Sequence, residues 1–257
     1  MRKILLVGGD SFSDPTCKSY KGTDIITWPQ LLAEKLDMDL VCVAQSGGGN
    51  EQIYSSILDW ICENGSNNIG LVLAAWSKCE RMDWEQGFND IFGFKLDHGC
   101  WHNNRVFPKG NIYSWLRKSI RNFYNLQILC ENHNIPYKQF QMISFFGDHI
   151  SEYYGHDFKN KRMNIIECIM TSPQFDLIKK SNFIGWPIYD EHDGFVVSDV
   201  TVHKEWKTVH KLTNNKKNSN YYYKANEVNT DYVVSPYDPH PNKKGHEMIM
   251  EFIYENL

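Results

Sequence analysis

The chain has 257 residues, 42% of them hydrophobic and 23% charged, with a net charge of -4. Such a composition belongs to a globular protein and gives no basic face for general nucleic-acid binding. Nothing approaches the ~18 apolar residues of a membrane span, and "ILLV" after two basic residues is too short for a signal peptide.

The elements can be read in chain order. Met1 to Val7 reads as a short strand whose "ILLV" is apolar throughout, as a strand buried on both faces is. It runs into "GGDSFSDP", residues 8–15. "WPQLLAEKLD", residues 28–37, sets Trp28, Leu31, Leu32 and Leu36 at helical spacing, with Thr27 as N-cap and Pro29 in the first turn. "LVCVAQ" from Leu40 reads as a second strand, ending in Ser46-Gly47-Gly48-Gly49-Asn50. Ile53, Ile57, Leu58 and Ile61 mark a second helix, and "IGLVLAAW" from Ile69 a third strand. This alternation predicts a parallel sheet with helices on both faces.

Residues 78–112 form an irregular excursion rich in Trp, Gly, His and Asn. A helix is expected over 114–134 and a fourth strand over 135–146, then short helical pieces around the aromatic turn "FIGWPIYDEHDG". Residues 210–230 read as a polar insertion. "NKKGHEMIMEFIYENL" closes the chain with a helix whose buried face is predicted to carry Met248, Ile249, Phe252 and Ile253. The expectation is one domain over residues 1–257 with insertions near 82–112 and 200–230. Seven cysteines stand singly, with no CxxC pair, which suits reduced thiols and a cytoplasmic setting.

Three turns meet at the carboxyl ends of the strands, where open α/β sheets place their ligands. They are Gly8 to Ser13, Gln45 to Asn50, and Ala75 to Arg81. Ser11, read as standing at a strand-to-helix turn, is a candidate nucleophile; the competing reading is a helix cap. Near the other end, "YDPHPNKKGHEM" sets Asp238 two residues before His240. In an extended segment both project to one side, so Asp238 can hold Nδ1–H and leave Nε2 to take the Ser11 proton. Gly47 can offer an unobstructed N–H to an oxyanion, and Ser77 or Arg81 a side-chain donor. Asp10, Asn50, Trp76 and Arg81 are the candidates for substrate contact. Their structural alternatives are a braced turn for Asp10, a helix cap for Asn50, packing for Trp76 and an ion pair for Arg81. His246 reads as structural. No Lys-Ser/Thr pair follows the three glycines, so a phosphate P-loop is not indicated.

"GDSFSD", the Gly-Asn turn after the second strand and "DPHPN..GH" together resemble the GDSL/SGNH hydrolase superfamily. The resemblance implies a flavodoxin-like, three-layer α/β/α sandwich with a central parallel sheet, and a serine esterase that needs no cofactor or metal. It implies Ser11 as nucleophile, His240 as base, Asp238 as its orienter, and the N–H groups of Ser11 and Gly47 as the oxyanion hole. Two positions depart from the family pattern. Ser77 stands where the family has an oxyanion-hole Asn, and Tyr237 where it has the Asp three residues before the His. The expected substrate is an acyl ester, acetyl above all and carried on a polar molecule such as a carbohydrate; no nucleic-acid or membrane partner is expected. Two other readings stay open: a metal-dependent phosphoesterase using Asp238, His240 and His246, and a catalytically silent carbohydrate-binding protein.

Overall fold

The computed structural model describes residues 2–81, 83–87, 96–102, 112–145, 165–201, 231–235 and 238–257, without the side chains of 84–87, 96–102, 200 and 201. Its elements, in chain order, begin with β1 (Ile4–Gly8), α1 (Trp28–Lys35), β2 (Asp39–Cys42), α2 (Asn50–Asn64) and β3 (Ile69–Trp76). β4 (Trp84–Gly87), β5 (Leu96–His102), α3 (Ile112–Asn132), β6 (Tyr137–Gln141) and β7 (Phe183–Ile184) follow. The chain ends with α4 (Val197–Thr201), β8 (Val233–Ser235), β9 (Asp238–Pro241) and α5 (Lys243–Glu255).

Five strands form one sheet in the order β2-β1-β3-β6-β7, every pairing parallel. With the β4–β5 hairpin standing apart, this is the 2-1-3-4-5 order of a doubly wound sheet. Its switch point lies between β1 and β3. Alternation along these strands sorts the core into two layers. Leu6 of β1 and Val72, Ala74 and Trp76 of β3 pack with Ile53, Ile57 and Ile61 of α2 and Leu116, Ile120 and Phe123 of α3. Leu5 and Val7, with Leu71, Leu73 and Ala75, pack on the other face with Trp28 and Leu32 of α1 and Ile249, Met250 and Ile253 of α5. Both faces are covered, which is why the strands read as unbroken apolar runs. The expected three-layer α/β/α architecture is present.

Local signals explain most boundaries. Gln30 Oε1 accepts the Thr27 N–H and hydroxyl, each at 2.9 Å, at the start of α1. Asn242 caps α5, its side chain accepting the Gly245 N–H at 3.1 Å. The buried face of α5 carries His246, Ile249, Met250 and Ile253, so Met248 and Phe252 are its half-buried flanks rather than its centre. The fifth strand, β7, is only two residues long and was not among the expected elements. No helix follows β1 directly. Asp10 carbonyl accepts from Ser13 N at 2.9 Å and Asp14 N at 3.0 Å, and a 3-10 turn over Lys18–Tyr20 comes before α1. Ser11 therefore sits in a tight turn and caps no helix.

The polar insertion over 210–230, and most of the expected insertions near 82–112 and 200–230, lie outside the described residues. Among the described residues, no helix is long and apolar enough to cross a membrane. Six described cysteines are free thiols.

Candidate active site

The first turn is built around Asp10. Its Oδ1 accepts the Phe12 N–H at 3.0 Å, and its Oδ2 accepts from the Ser77 hydroxyl and Arg81 Nη1, both at 2.9 Å. The carboxylate is fully buried. Arg81 Nη1 also donates to Ser77 Oγ at 2.7 Å and to the Gly48 carbonyl at 2.8 Å. One buried ion pair thus joins the turns after β1, β2 and β3. This geometry bears on three expectations. Asp10 is a brace closed off from any substrate, and the Ser77 hydroxyl is spent on Asp10, so it does not face an oxyanion. The three inward bonds of Arg81 make it a tie between turns rather than a substrate clamp.

Asn50 and Trp76 are corrected as well. Asn50 is the first residue of α2; Gly49 is its N-cap. The Asn50 side chain accepts the Ser77 N–H at 2.8 Å and donates to Ser119 Oγ at 2.9 Å, which consumes it as a link between β3 and α3. Trp76 is wholly buried, its indole N–H donating to Gln139 Oε1 at 3.0 Å.

The N-terminus of α2 is filled from within. Asp83 accepts the Gly49 N–H at 2.9 Å and the Gln52 N–H at 3.1 Å, a side-chain cap from 34 residues away. Burial pushes its carboxyl up, against the pull of those two N–H groups. A Cβ on Gly49 would stand 2.5 Å from Asp83 Oδ2, so the glycine gives the carboxylate room. Gly47 has φ +84°, which glycine adopts without strain. Gly47 is buried, and among the described residues its N–H has no acceptor.

His240 is positioned by its own strand. β9 pairs antiparallel with β8, and His240 Nδ1 lies 2.5 Å from Asp238 Oδ1. The same oxygen accepts the His240 N–H at 3.1 Å. Asp238 is therefore in the orienting place, two residues before the imidazole rather than three. The pair is partly open, with side-chain exposures of 22% for His240 and 29% for Asp238, so solvent and a ligand can reach it. The ring of Phe12, next to Ser11, lies 5.3 Å from the imidazole, and Tyr20 meets it edge-on at 6.1 Å. Tyr20 in turn donates to the Ser11 carbonyl at 3.4 Å. The structure thus brings the two ends of the chain together. In this structure Ser11 Oγ makes no hydrogen bond to His240; such contacts are often loose without substrate and tighten in the complex.

Three residues around His240 and Ser46 escaped sequence reasoning. Ser19 Oγ lies 3.1 Å from Nδ1. Burial opposes ionisation of the Cys17 thiol, but the neighbouring His240 and Ser46 hold its pKa below the usual value. Asp14 accepts the Ser46 N–H at 2.9 Å and hydroxyl at 2.7 Å, which anchors the residue before Gly47. No motif marks these three; they lie in the segment expected to begin a helix. Burial lowers the basicity of His240, but the Cys17 and Asp238 contacts outweigh it and lift its pKa to about 9. His246 behaves oppositely. Wholly buried, it accepts the Trp28 N–H on Nδ1 at 3.2 Å, and burial drops its pKa to about 3. It is a neutral packing residue at the start of α1. Among the described residues no three His, Cys, Asp or Glu side chains converge as metal ligands, which removes the Asp238, His240 and His246 arrangement.

No family model matches the chain, and no curated protein matches it by sequence. Many solved structures similar to it are GDSL/SGNH lipolytic proteins and esterases, at low identity. One is the psychrotrophic esterase EstA from Pseudoalteromonas sp., at 14% identity and TM-score 0.44, covering 99% of this chain and 96% of that one. A member of the lipolytic protein G-D-S-L family from Veillonella parvula DSM 2008 has 13% identity and TM-score 0.43, with 98% and 97% covered. An acetyl xylan esterase, AlAXEase, has 13% identity and TM-score 0.43, with 99% of both chains covered. The five-stranded parallel sheet flanked by helices, set by its own strand order, is an α/β fold.

Proposed function

We propose that the chain is a serine ester hydrolase in which Ser11 is the nucleophile, His240 the general base and Asp238 its orienter. The observation that carries this reading is the 2.5 Å Asp238–His240 pair, partly open to solvent and packed on the Phe12 ring beside the Ser11 turn. Ser11 Oγ attacks the ester carbonyl as His240 Nε2 takes its proton. The oxyanion is met by the N–H groups of Ser11 and Gly47. His240 then returns the proton to the leaving alcohol as the C–O bond breaks, and water, activated by the same imidazole, releases the acyl group. Asp238 holds the imidazolium throughout and keeps its own charge.

A small acyl group, acetyl first, on a polar or carbohydrate alcohol is the substrate class we favour. The polar cast of the insertions supports it. With Ser77 tied to Asp10, the oxyanion hole has backbone donors only, and one missing side-chain donor costs about 3 kcal/mol of barrier in other hydrolases. Slow turnover is expected for that reason.

The direct test is labelling with a fluorophosphonate, mapped by mass spectrometry. A single adduct on Ser11 is the expected result; a folded protein that labels elsewhere, or not at all, counts against the reading. The pH profile follows from the charge state of the base. A pKa near 9 leaves only about one His240 in a hundred unprotonated at pH 7. The value of kcat/KM on p-nitrophenyl acetate should therefore climb from pH 7 and level off above about 9, in contrast to a histidine at its ordinary value of about 6.5.

A further inference from the structure

Asp14 closes the Ser11 turn, its N–H donating to the Asp10 carbonyl at 3.0 Å, and it is only 4% exposed. Its two carboxylate oxygens divide their partners. Oδ1 accepts the Thr16 N–H and hydroxyl, both at 2.7 Å, and so shapes its own segment. Oδ2 reaches 32 residues along the chain, to the Ser46 N–H at 2.9 Å and the Ser46 hydroxyl at 2.7 Å. The rest of the second turn is held as well. Gln45 N–H donates to the Gly9 carbonyl at 3.1 Å, and Gly48 N–H to the Gln45 carbonyl at 2.9 Å. Arg81 takes the Gly48 carbonyl at 2.8 Å, and Asp83 the Gly49 N–H at 2.9 Å. From Gln45 to Gly49, only the Gly47 N–H has no acceptor among the described residues. We propose that Asp14 is a positioning residue of the hydrolysis, its carboxylate setting the Ser46–Gly47 peptide so that the Gly47 N–H meets the oxyanion formed at Ser11.

The inference rests on the reading of Ser11 and Gly47 given above. The peptide unit is planar, so the direction of the Gly47 N–H follows from the dihedral angles of Ser46. Gly47, at φ +84°, has no side chain to stiffen its own backbone, so its aim must come from its neighbours. Asp14 supplies that aim by holding the Ser46 backbone and side chain on one oxygen. Among the described residues no cation pairs with Asp14, so these four donors carry its charge. Hydrogen bonds to a charged group are about twice as strong as neutral ones, and a buried carboxylate keeps them in place. Because the main chain of Asp14 is bonded into the Ser11 turn, nucleophile and oxyanion donor are set relative to each other before substrate arrives. A misaimed donor weakens the transition state and leaves the ground state alone, so its cost falls on kcat.

The test measures kcat and KM on p-nitrophenyl acetate, together with the rate at which a fluorophosphonate labels Ser11, whose tetrahedral adduct sets an oxygen on the same donor. Thr16→Val and Ser46→Ala each remove one hydroxyl bond to Asp14, on opposite oxygens. Ser46→Ala should lower kcat and the labelling rate about fivefold with KM unchanged, whereas Thr16→Val should leave all three unchanged. Asp14→Ala should lower kcat about a hundredfold, the scale of a 1 Å misplacement. Asp14→Asn should fall between: the two hydroxyls can turn round to accept from the amide, but one of the two N–H groups then loses its acceptor. Equal effects of Thr16→Val and Ser46→Ala, or an Asp14→Ala protein with wild-type kcat, overturn the inference. If Asp14→Ala does not fold, as judged by circular dichroism, wild-type kcat in Ser46→Ala overturns it equally. Labelling of the wild type separates the two levels. An adduct on Ser11 leaves only the role of Asp14 in question, whereas none there removes the reading on which that role depends.

Discussion

Replacing Ser11 by alanine should lower kcat/KM on p-nitrophenyl acetate by about a million-fold, the scale seen when a catalytic serine is removed from a triad enzyme. The loss should fall on kcat, because the hydroxyl acts only in the transition state. Stability should barely change, within about 0.5 kcal/mol, since Ser11 Oγ bonds nothing in the described structure and alanine keeps its Cβ. That separation makes the result informative: a protein with unchanged melting and no turnover has lost chemistry alone. His240→Ala should match it, whereas Asp238→Asn should cost less, about ten-thousand-fold, by leaving the imidazole in the wrong tautomer. Initial rates of purified variants, with an active-site titration to exclude contaminating esterase, check all three. If Ser11→Ala kept a tenth or more of the activity, the nucleophile would have to be sought beside the same imidazole. Cys17 and Ser19 would be the next substitutions.

How much of this was legible depends on whether a residue's partner lies near it in sequence. The β-α-β alternation could be read because Leu5, Leu6 and Val7 are buried from both sides, and because α1 carries its own start signals at Thr27 and Pro29. The Asp238–His240 pair could be read because both residues share one short strand, where i and i+2 face the same way. β7 could not, since two residues paired with β6 leave no periodicity to detect. The helix expected after Ser11 failed for the opposite reason: Asp10 and Asp14 satisfy the local backbone themselves, so the chain turns before any helical run begins.

The side-chain roles were hardest where polar residues had a choice of partner. For Ser77, Asn50 and Arg81 the sequence leaves a ligand and a structural partner both open, and the structure pairs them with one another and with Asp10, Ser119 and Gly48. Nothing local distinguishes a donor aimed outward from one aimed at a neighbouring turn. The burial of Asp10 settles the matter only once the fold is known, because a buried carboxylate demands partners from every loop around it.

That demand makes Arg81 the residue whose loss should cost the fold most. Arg81→Met removes the guanidinium from a wholly buried carboxylate and leaves Asp10 with two neutral donors, the Ser77 hydroxyl and the Phe12 N–H. Breaking a buried pair from one side costs about 3–5 kcal/mol, because the remaining charge is neither hydrated nor balanced. At about 2–4 °C per kcal/mol for a chain of this size, Tm should fall by roughly 10 °C. Asp10→Asn placed on top should recover part of the loss, since the amide carries no charge to strand, so the two losses should fall well short of additive. Arg81→Lys should lie between. All three contacts come from Nη1 alone, so the ammonium keeps the charge and has donors enough, but its shorter stem cannot bring the nitrogen to the same point between Asp10, Ser77 and Gly48. Thermal melts of Arg81→Met, Asp10→Asn, the double variant, Arg81→Lys and the wild type decide the matter, and an Arg81→Met protein melting within about 2 °C of wild type would refute the tie. Activity should follow stability here, unlike at Ser11: the ion pair joins the turn of the nucleophile to the turn of the Gly47 N–H. Loosening it should lower kcat in Arg81→Lys even at temperatures where the variant is fully folded.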